Sequence, residues 1–399
     1  MNAVESTLEV ASFTPYPITH HPIHIELHEE SMTVTWDHQH KSEYHYLWLR
    51  DNCHCPECIS TKTREQVFEI CDVPYSIKPS NAYITDDHRI VVDWDYADHT
   101  SKYHPGWLLS HCYSEEVVQS KQWKPILWDK ERITTELPRA KSSALIQSDE
   151  VLLTWLRDLR DYGIGIVSDV GTELGSLKAV TDRIAFMRES NYGTLFDVTT
   201  TAKANTSANT NIRLPLHTDL SARELQPGLQ FLHCLVNDAT GGESIYVDGF
   251  KIAEYMREHH PEEFRDLSAI PMTFNNKDPY CDYNYRSTVI ATDSNGEVTE
   301  VRHANFIRGP IDVPAHQTMA IYKAYQCFIR LTREPAFQLF FRLTAGEMVV
   351  FDNRRVLHAR NAFDLKTGMR QLQGCYIDRD EFLSRIRILE RSTTVSGSQ

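Results

Sequence analysis

No stretch of this 399-residue chain approaches the run of about 18 apolar residues that a membrane-spanning helix needs. A membrane partner is therefore not expected. Positive charge is also scarce, with 41 Lys and Arg against 55 Asp and Glu and a formal net charge of −14. Phosphate binding wants a basic surface, so no nucleic-acid partner is expected either. Internal repeats and low-complexity tracts are missing. The opening Met-Asn-Ala-Val-Glu-Ser has no charged segment ahead of an apolar core, which argues against a secretory signal and for a cytoplasmic location. In that reducing compartment, nine cysteines, an odd count, point to thiols or metal ligands rather than disulfides. What remains is ordinary: 41% apolar and 24% charged residues, in a chain long enough for two or three domains.

Turn-rich stretches separate short β-segments at Ile23–Leu27, Thr33–Trp36, Val67–Ile70 and Ile90–Trp94, which predicts a small all-β domain over residues 20–115. Residues 116–146, polar and interrupted by Pro125 and Pro138, read as a linker. From residue 147 the periodicity changes. Ser148 or Asp149 caps a predicted helix with Val151, Leu152, Trp155 and Leu159 at helical spacing, and a strand follows at Ile164–Val167. Further helices are predicted at Leu177–Arg188, Phe250–His259 (stopped by Pro261) and Gln317–Arg333 (stopped by Pro335). Leu229–Val236 and Ser244–Asp248, joined by Asn237-Asp238-Ala239-Thr240-Gly241-Gly242, read as a β-hairpin. Met348–Phe351 reads as a buried strand. The whole predicts a mainly β catalytic domain over 147–392 with flanking helices, barrel-like with a metal in its mouth, and a tail at 393–399.

His217-Thr218-Asp219 and the distant His358 supply two imidazoles and one carboxylate, the set that holds non-haem Fe(II) on one face and leaves the other open. If Leu214–Leu220 is extended, His217 and Asp219 project to one side. A lone His-x-Asp is weak, and a hydrogen-bonded core histidine is the plain alternative for His358. Iron with three protein ligands needs a co-substrate to activate O2. A keto-acid meets that need, and its far carboxylate wants an arginine fork. Arg370, twelve residues after His358, is the leading candidate, with Arg354, Arg355 and Arg360 as rivals and Ser244 as a supporting hydroxyl. Tyr192, Phe196, Tyr283, Tyr285 and Tyr376 are numerous enough around these residues to suggest an aromatic cage for a quaternary ammonium group, although most aromatics are core.

Cys53-His54-Cys55-Pro56-Glu57-Cys58 is a second metal motif. Three close thiols and one outside ligand make a closed, structural Cys3His zinc site. Candidates for the fourth ligand are His99, His54, His88, His104 and Cys71. His99, in a polar turn after Ile90–Trp94, is favoured on geometry.

These residues and their surroundings resemble the γ-butyrobetaine dioxygenase family in its bacterial form. The likeness runs through Leu47–Cys53, His104–Leu108, Asn191-Tyr192-Gly193, Leu216–Leu220, Pro227–Cys234, Thr240-Gly241-Gly242, Val247–Phe250 and Phe351–His358, and spans roughly residues 30–392. It implies an Fe(II)- and 2-oxoglutarate-dependent dioxygenase that uses O2, with a double-stranded β-helix (jelly-roll) core, a small N-terminal zinc domain, and ascorbate as a candidate reductant. It further implies a homodimer and hydroxylation of γ-butyrobetaine to L-carnitine, with succinate and CO2 as co-products. Carried over by motif, the iron ligands are His217, Asp219 and His358, and the zinc ligands are Cys53, Cys55, Cys58 and His99. Arg370 and Ser244 match the 2-oxoglutarate site. Tyr192, Phe196 and Tyr376 match cage positions, and Asn305 a position near the substrate carboxylate. One departure stands out. The family usually has Ala-Tyr-Thr ahead of the His-x-Asp, and here the stretch is Ala208-Asn209-Thr210. Asn209 has no π-face, which would weaken a cage by about 0.5–2 kcal/mol.

Three other readings compete. Trimethyllysine hydroxylation shares ligands and cage, but Asp364–Gly368 lengthens the segment before Arg370 as in the butyrobetaine branch. A zinc-dependent hydrolase would use His217, Asp219 and His358 without needing Arg370 or O2. A non-catalytic metal-binding module would leave the C-terminal motifs unexplained.

Overall fold

Alternation of apolar and polar residues builds the first strands. In Ser31–Trp36, Met32, Val34 and Trp36 are fully buried while Thr33 and Thr35 turn outward. The computed structural model describes residues 13–200 and 209–396. It divides into two units, one holding the chain up to Trp123 together with the residues from Arg391, the other Lys124–Glu390.

The first unit carries two three-stranded antiparallel sheets. One joins β1 (Pro22–Leu27), β2 (Ser31–Trp36) and β3 (Lys41–His45), after which α1 covers Tyr46–Asp51. The other joins β4 (Pro79–Ile84), β5 (Ile90–Trp94) and β6 (Thr100–Tyr103), followed by α2 (Pro105–Ser110) and α3 (Glu115–Lys121). Trp36, Tyr44, Trp94, Tyr103 and Trp107 form its aromatic-rich core. Val67–Ile70 is not a strand. The amides of Val67 and Phe68 both donate to the Cys58 carbonyl, so this segment is tied to the cysteine loop, and a 3-10 turn follows at Ile70–Asp72.

The second unit begins inside the segment expected as a linker. There α4 (Lys130–Glu136), β7 (Arg139–Lys141) and α5 (Ser142–Gln147) form, Trp128, Ile133 and Leu145 are buried, and β7 pairs with β8 (Ile164–Ser168). Between them runs α6 (Asp149–Tyr162), with the Ser148 hydroxyl accepting from the Val151 amide and Gly163 closing the helix at φ +72°. The next helix, α7, covers only Lys178–Ile184, short of the expected Arg188, whose amide donates instead to the Tyr376 carbonyl.

The remaining elements are β9 (Phe196–Thr199), β10 (Leu214–His217), β11 (Leu229–Asn237), β12 (Thr240–Gly241), β13 (Ser244–Asp248), α8 (Gly249–His259), α9 (Pro261–Ala269), β14 (Met272–Lys277), β15 (Asp282–Ser287), β16 (Ile290–Thr292), β17 (Val298–Val301), α10 (Ala315–Arg333), β18 (Leu339–Phe341), β19 (Met348–Asp352), β20 (Val356–Arg360), β21 (Phe363–Asp364), β22 (Arg370–Ile377) and α11 (Arg379–Ser396). Helix α11 thus takes up the start of the expected tail, and residues 397–399 lie outside the described residues. Pro261 stops α8 as expected and also opens α9, where its missing N–H costs nothing.

Two sheets form the core of this unit: a six-stranded sheet in the order β7-β8-β19-β11-β22-β9, and a four-stranded sheet in the order β10-β20-β13-β18. Each strand alternates its faces. On β11, Leu229 and Phe231 pack outward with residues of α6, α7 and α11, while Gln230 and Leu232 turn inward to a cavity. On β13, Ile245 and Val247 pack with residues of α8 and α10, while Ser244 and Tyr246 turn inward. Cys234, Val349, Phe351 and Leu372 from one sheet meet Tyr246, Leu339 and Val356 from the other. This is a two-layer jelly-roll arrangement with helices outside.

The expected hairpin of β11 with β13 does not form. β11 pairs with β19 and β22, so both its edges are taken, and β13 pairs with β18 and β20. The Gly241-Gly242 connection instead carries the chain from one sheet to the other. Both glycines have positive φ, and a Cβ on Gly241 would lie 2.5 Å from the Ala362 carbonyl oxygen, where β12 meets β21.

Candidate active site and metal centres

The open end between the two sheets holds a cavity of about 620 Å³. His217 ends β10, and His358 stands directly opposite it on β20, in register, with ring centroids 4.1 Å apart. The strand stops at His217, so Asp219 does not reach the site by strand alternation as expected. It sits in a turn that runs into Leu220 at φ +55°. That turn is fixed from below. The Asp219 amide donates to Asn353 Oδ1 at 2.6 Å, and Asn353 Nδ2 returns a bond to the Asp219 carbonyl at 3.0 Å. Arg302, buried beneath, donates to the carbonyls of Ser221 and Glu224 and pairs with Glu300.

One donor atom from each of the three residues lies within 4.8 Å of the other two. His217 Nδ1 lies 2.8 Å from the Pro215 carbonyl, which can only accept, so Nδ1 carries the hydrogen and Nε2 presents its lone pair. That Nε2 is 3.1 Å from Asp219 Oδ1, and His358 Nε2 is 3.8 Å from the same oxygen. The other carboxylate oxygen, Oδ2, accepts from Gln230 Nε2 and the Tyr376 hydroxyl, each at 2.7 Å. Asp219 therefore has one oxygen held by the protein and one free for a metal. Burial favours the neutral acid, yet the carboxyl is held below the usual range, with the Tyr376 hydroxyl donating to Oδ2. Burial, with the nearby His217, pushes His358 down to about 3, so its imidazole is neutral and fit to ligate. Two imidazoles, one carboxylate and an open cavity suit Fe(II).

The arginines separate clearly. Arg354 pairs with Glu300. Arg355, almost fully buried, binds Asp248 through two nitrogens at 3.0 and 2.8 Å. Arg360 donates to the carbonyls of Thr210 and Ile212. Arg370 is buried at the start of β22 and lines the cavity, and among the described residues its guanidinium has no hydrogen-bond or ion-pair partner. Burial lowers its pKa, and its charge helps burial push Arg360 down to about 10. A desolvated cation of this kind wants an anion. Ser244, in register with Arg360, lines the same cavity. The set fits the far carboxylate of 2-oxoglutarate.

Tyr192, Phe196 and Tyr376 all line the cavity, with the Phe196 ring 5.0 Å from Tyr376 and 6.4 Å from Tyr192. Asn209 lines it too, placing an amide there and not a ring. Its neighbour Ala208 lies outside the described residues. Tyr283 is a further aromatic in the lining, whereas Tyr285 is not and lies under Arg302. Asn305 is also absent from the lining. It sits exposed in a 3-10 turn, with the Tyr325 hydroxyl donating to its side chain, and its neighbours Ala304, Phe306 and Ile307 face the cavity instead. Gln230 and Asn353 were not anticipated. A lone glutamine on the inward face of an apolar strand is a signal for the first; Asn353, in the polar run Asp352–Arg355, offers none.

In the first unit His99 is the residue brought to the three cysteines. Cys53, Cys55 and Cys58 Sγ lie 3.3, 3.9 and 3.8 Å from His99 Nε2. Tetrahedral zinc, with bonds of about 2.3 Å to sulfur and 2.0 Å to nitrogen, sets such edges at roughly 3.6 Å. His54 packs on Trp107, His88 on His21, His104 caps α2, and Cys71 is exposed. Burial pushes the Cys53 thiol up to about 12, against hydrogen bonds within the site. Three crowded thiols become good thiolates only beside a cation, and four protein ligands leave it no open position. His99 Nδ1 faces Glu57 at 3.5 Å, and Arg50 donates to Cys58 Sγ at 3.2 Å.

Residues 130–376 match the family model "Taurine catabolism dioxygenase TauD, TfdA family", and residues 23–95 match "Gamma-butyrobetaine hydroxylase-like, N-terminal". The chain is 48% identical over 382 residues to the γ-butyrobetaine dioxygenase of Pseudomonas sp. (strain AK-1), covering 96% of this chain and all of that one. It is 31% identical over 372 residues to γ-butyrobetaine dioxygenase of Homo sapiens, covering 90% and 94%. Identity is 28% over 377 residues to a trimethyllysine dioxygenase of Meyerozyma guilliermondii, again covering 90% and 94%.

Proposed function

The chain belongs to the TauD/TfdA family of dioxygenases, with the N-terminal domain of the γ-butyrobetaine hydroxylase-like proteins, and on that premise we propose that it hydroxylates γ-butyrobetaine to L-carnitine. The observation that carries this reading is the full-length likeness to the Pseudomonas γ-butyrobetaine dioxygenase, joined to a cavity that combines two imidazoles and a carboxylate within metal-binding distance, an arginine without a partner among the described residues, and aromatic rings. Trimethyllysine hydroxylation is less favoured, since the relatives bearing that name are more distant.

In the proposed arrangement His217, Asp219 and His358 hold Fe(II), which when bound supplies the redox chemistry: O2 is reduced as 2-oxoglutarate loses CO2 to give succinate, and one oxygen atom enters a substrate C–H bond. The protein's own part is positional. Arg370 and Ser244 anchor the far carboxylate of 2-oxoglutarate. Gln230 and Tyr376 hold Asp219 Oδ2 so that Oδ1 keeps its direction. Tyr192, Phe196 and the Tyr376 ring receive the trimethylammonium head and orient the chain. No side chain is required as a general base. Zinc at Cys53, Cys55, Cys58 and His99 is structural.

The test is turnover with Fe(II) and 2-oxoglutarate, aerobic and anaerobic, on γ-butyrobetaine and trimethyllysine, measuring succinate and hydroxylated product. O2-dependent succinate formed in step with L-carnitine is the expected result, and faster coupled turnover of trimethyllysine would overturn the reading. The assembly proposed is a homodimer in the cytoplasm, and a monomeric mass by light scattering would refute the first part. Among the described residues no helix is long and apolar enough to cross a membrane.

A further inference from the structure

Three arginines line the cavity, and one is unlike the others. Arg360 and Arg370 lie together, beside Ser244 and Phe363. Arg223 comes instead from the turn after Asp219, and its surroundings are Tyr283, Asn191 and Cys281. Its guanidinium carbon lies 3.7 Å from the centre of the Tyr283 ring, and one nitrogen donates to Asn191 Oδ1 at 3.1 Å. Its Nε is buried without a hydrogen bond, and among the described residues no carboxylate lies within ion-pair distance. A cation held over an aromatic face keeps N–H groups, Nε–H among them here, to offer an anion.

This placement also divides the aromatic wall. The guanidinium covers one face of Tyr283, and a quaternary ammonium brought there would meet like charge. The rings left for a cationic head are Tyr192, Phe196 and Tyr376. Asn191, which holds Arg223, is the chain neighbour of Tyr192, so an anion on Arg223 would stand close to a cation in the cage. A short zwitterion could use both the cage and Arg223, a plain quaternary amine only the cage. Asn305, the residue first expected beside the substrate carboxylate, is outside the cavity lining.

Building on the proposed γ-butyrobetaine hydroxylation, we propose that Arg223 pairs with the substrate carboxylate and makes the cavity selective for zwitterions. The test compares γ-butyrobetaine with its carboxamide in the iron-loaded, full-length enzyme, for wild type, R223Q and R223K. In R223Q the KM for γ-butyrobetaine should rise roughly tenfold or more, the loss expected of a charge-assisted pair, while KM for the carboxamide moves less than about twofold. R223K, a point charge without the fork, should recover part of the selectivity. Equal changes on both substrates, or none, would overturn the assignment and leave Arg223 as a wall of the site. If R223Q does not fold, R223K decides by the same contrast. Should wild type turn over trimethyllysine and not γ-butyrobetaine, the substrate reading fails, and Arg223 is judged by trimethyllysine against its carboxamide. If wild type couples 2-oxoglutarate to no carboxylate-bearing substrate, both fall.

Discussion

Tyr376 is placed to do two jobs, and Tyr376→Phe separates them. The ring stands 5.0 Å from Phe196 in the proposed cage, while the hydroxyl donates to Asp219 Oδ2 at 2.7 Å. Phenylalanine keeps the ring and removes the bond. Hydrogen bonds to a charged acceptor contribute about 1.5–3 kcal/mol, which is roughly ten- to a hundredfold in an equilibrium constant. Gln230 still donates to the same oxygen at 2.7 Å, so Oδ2 is not orphaned and the lower end applies. The expected loss is therefore about tenfold in Fe(II) affinity, the range seen when a partner of a metal ligand is removed. Half-saturating Fe(II) measured by titration of activity under anaerobic loading should rise by that factor, with KM for γ-butyrobetaine within about twofold of wild type. Adding Gln230→Leu leaves Oδ2 with neither donor and should cost more than the two single changes combined. The reasoning is refuted if Tyr376→Phe raises the substrate KM while the iron requirement stays unchanged, since the hydroxyl would then serve the substrate and not the ligand.

Arg370→Ala should raise the 2-oxoglutarate requirement far more than the substrate requirement, because its guanidinium has no partner among the described residues; equal effects on both KM values would count against it. His217→Ala should abolish turnover and iron retention yet leave the zinc content intact, and Cys58→Ser should lose zinc, both read by metal analysis of the purified protein. His233 gives a pH prediction. Burial pushes its pKa down to about 4, the Gly171 backbone opposing, so below the ordinary histidine value near 6.5 the unfolded chain takes up the proton first. Stability should therefore fall as pH drops from about 6.5 towards 4, by up to about 3 kcal/mol from this residue. His233→Gln should flatten that part of the denaturation profile, and an unchanged slope would refute it.

Element types were readable where one period dominates. Helix α6 shows its cap, its apolar stripe and its closing glycine in sequence, and it forms as expected. Pairing was not readable. The Gly241-Gly242 stretch looks like a hairpin turn locally, because hairpin and sheet-crossing turns demand the same positive φ. Only the partners waiting on each edge, β19 and β22 for one strand and β18 and β20 for the other, decide between them. Segment 116–146 looked like a linker because its apolar residues are sparse. Trp128 and Ile133 nevertheless fill space left between the sheets.

The donor atoms themselves were legible in the residue types and their motifs: imidazole, carboxylate and thiol have few chemical substitutes, so their identity announces what they bind. Which arginine stays unpaired, which histidine completes the cysteine cluster, and that Arg223 rather than Asn305 faces the cavity were settled only by folding. Burial and the presence or absence of a partner are properties of neighbours brought together from remote parts of the chain, and no local pattern encodes them.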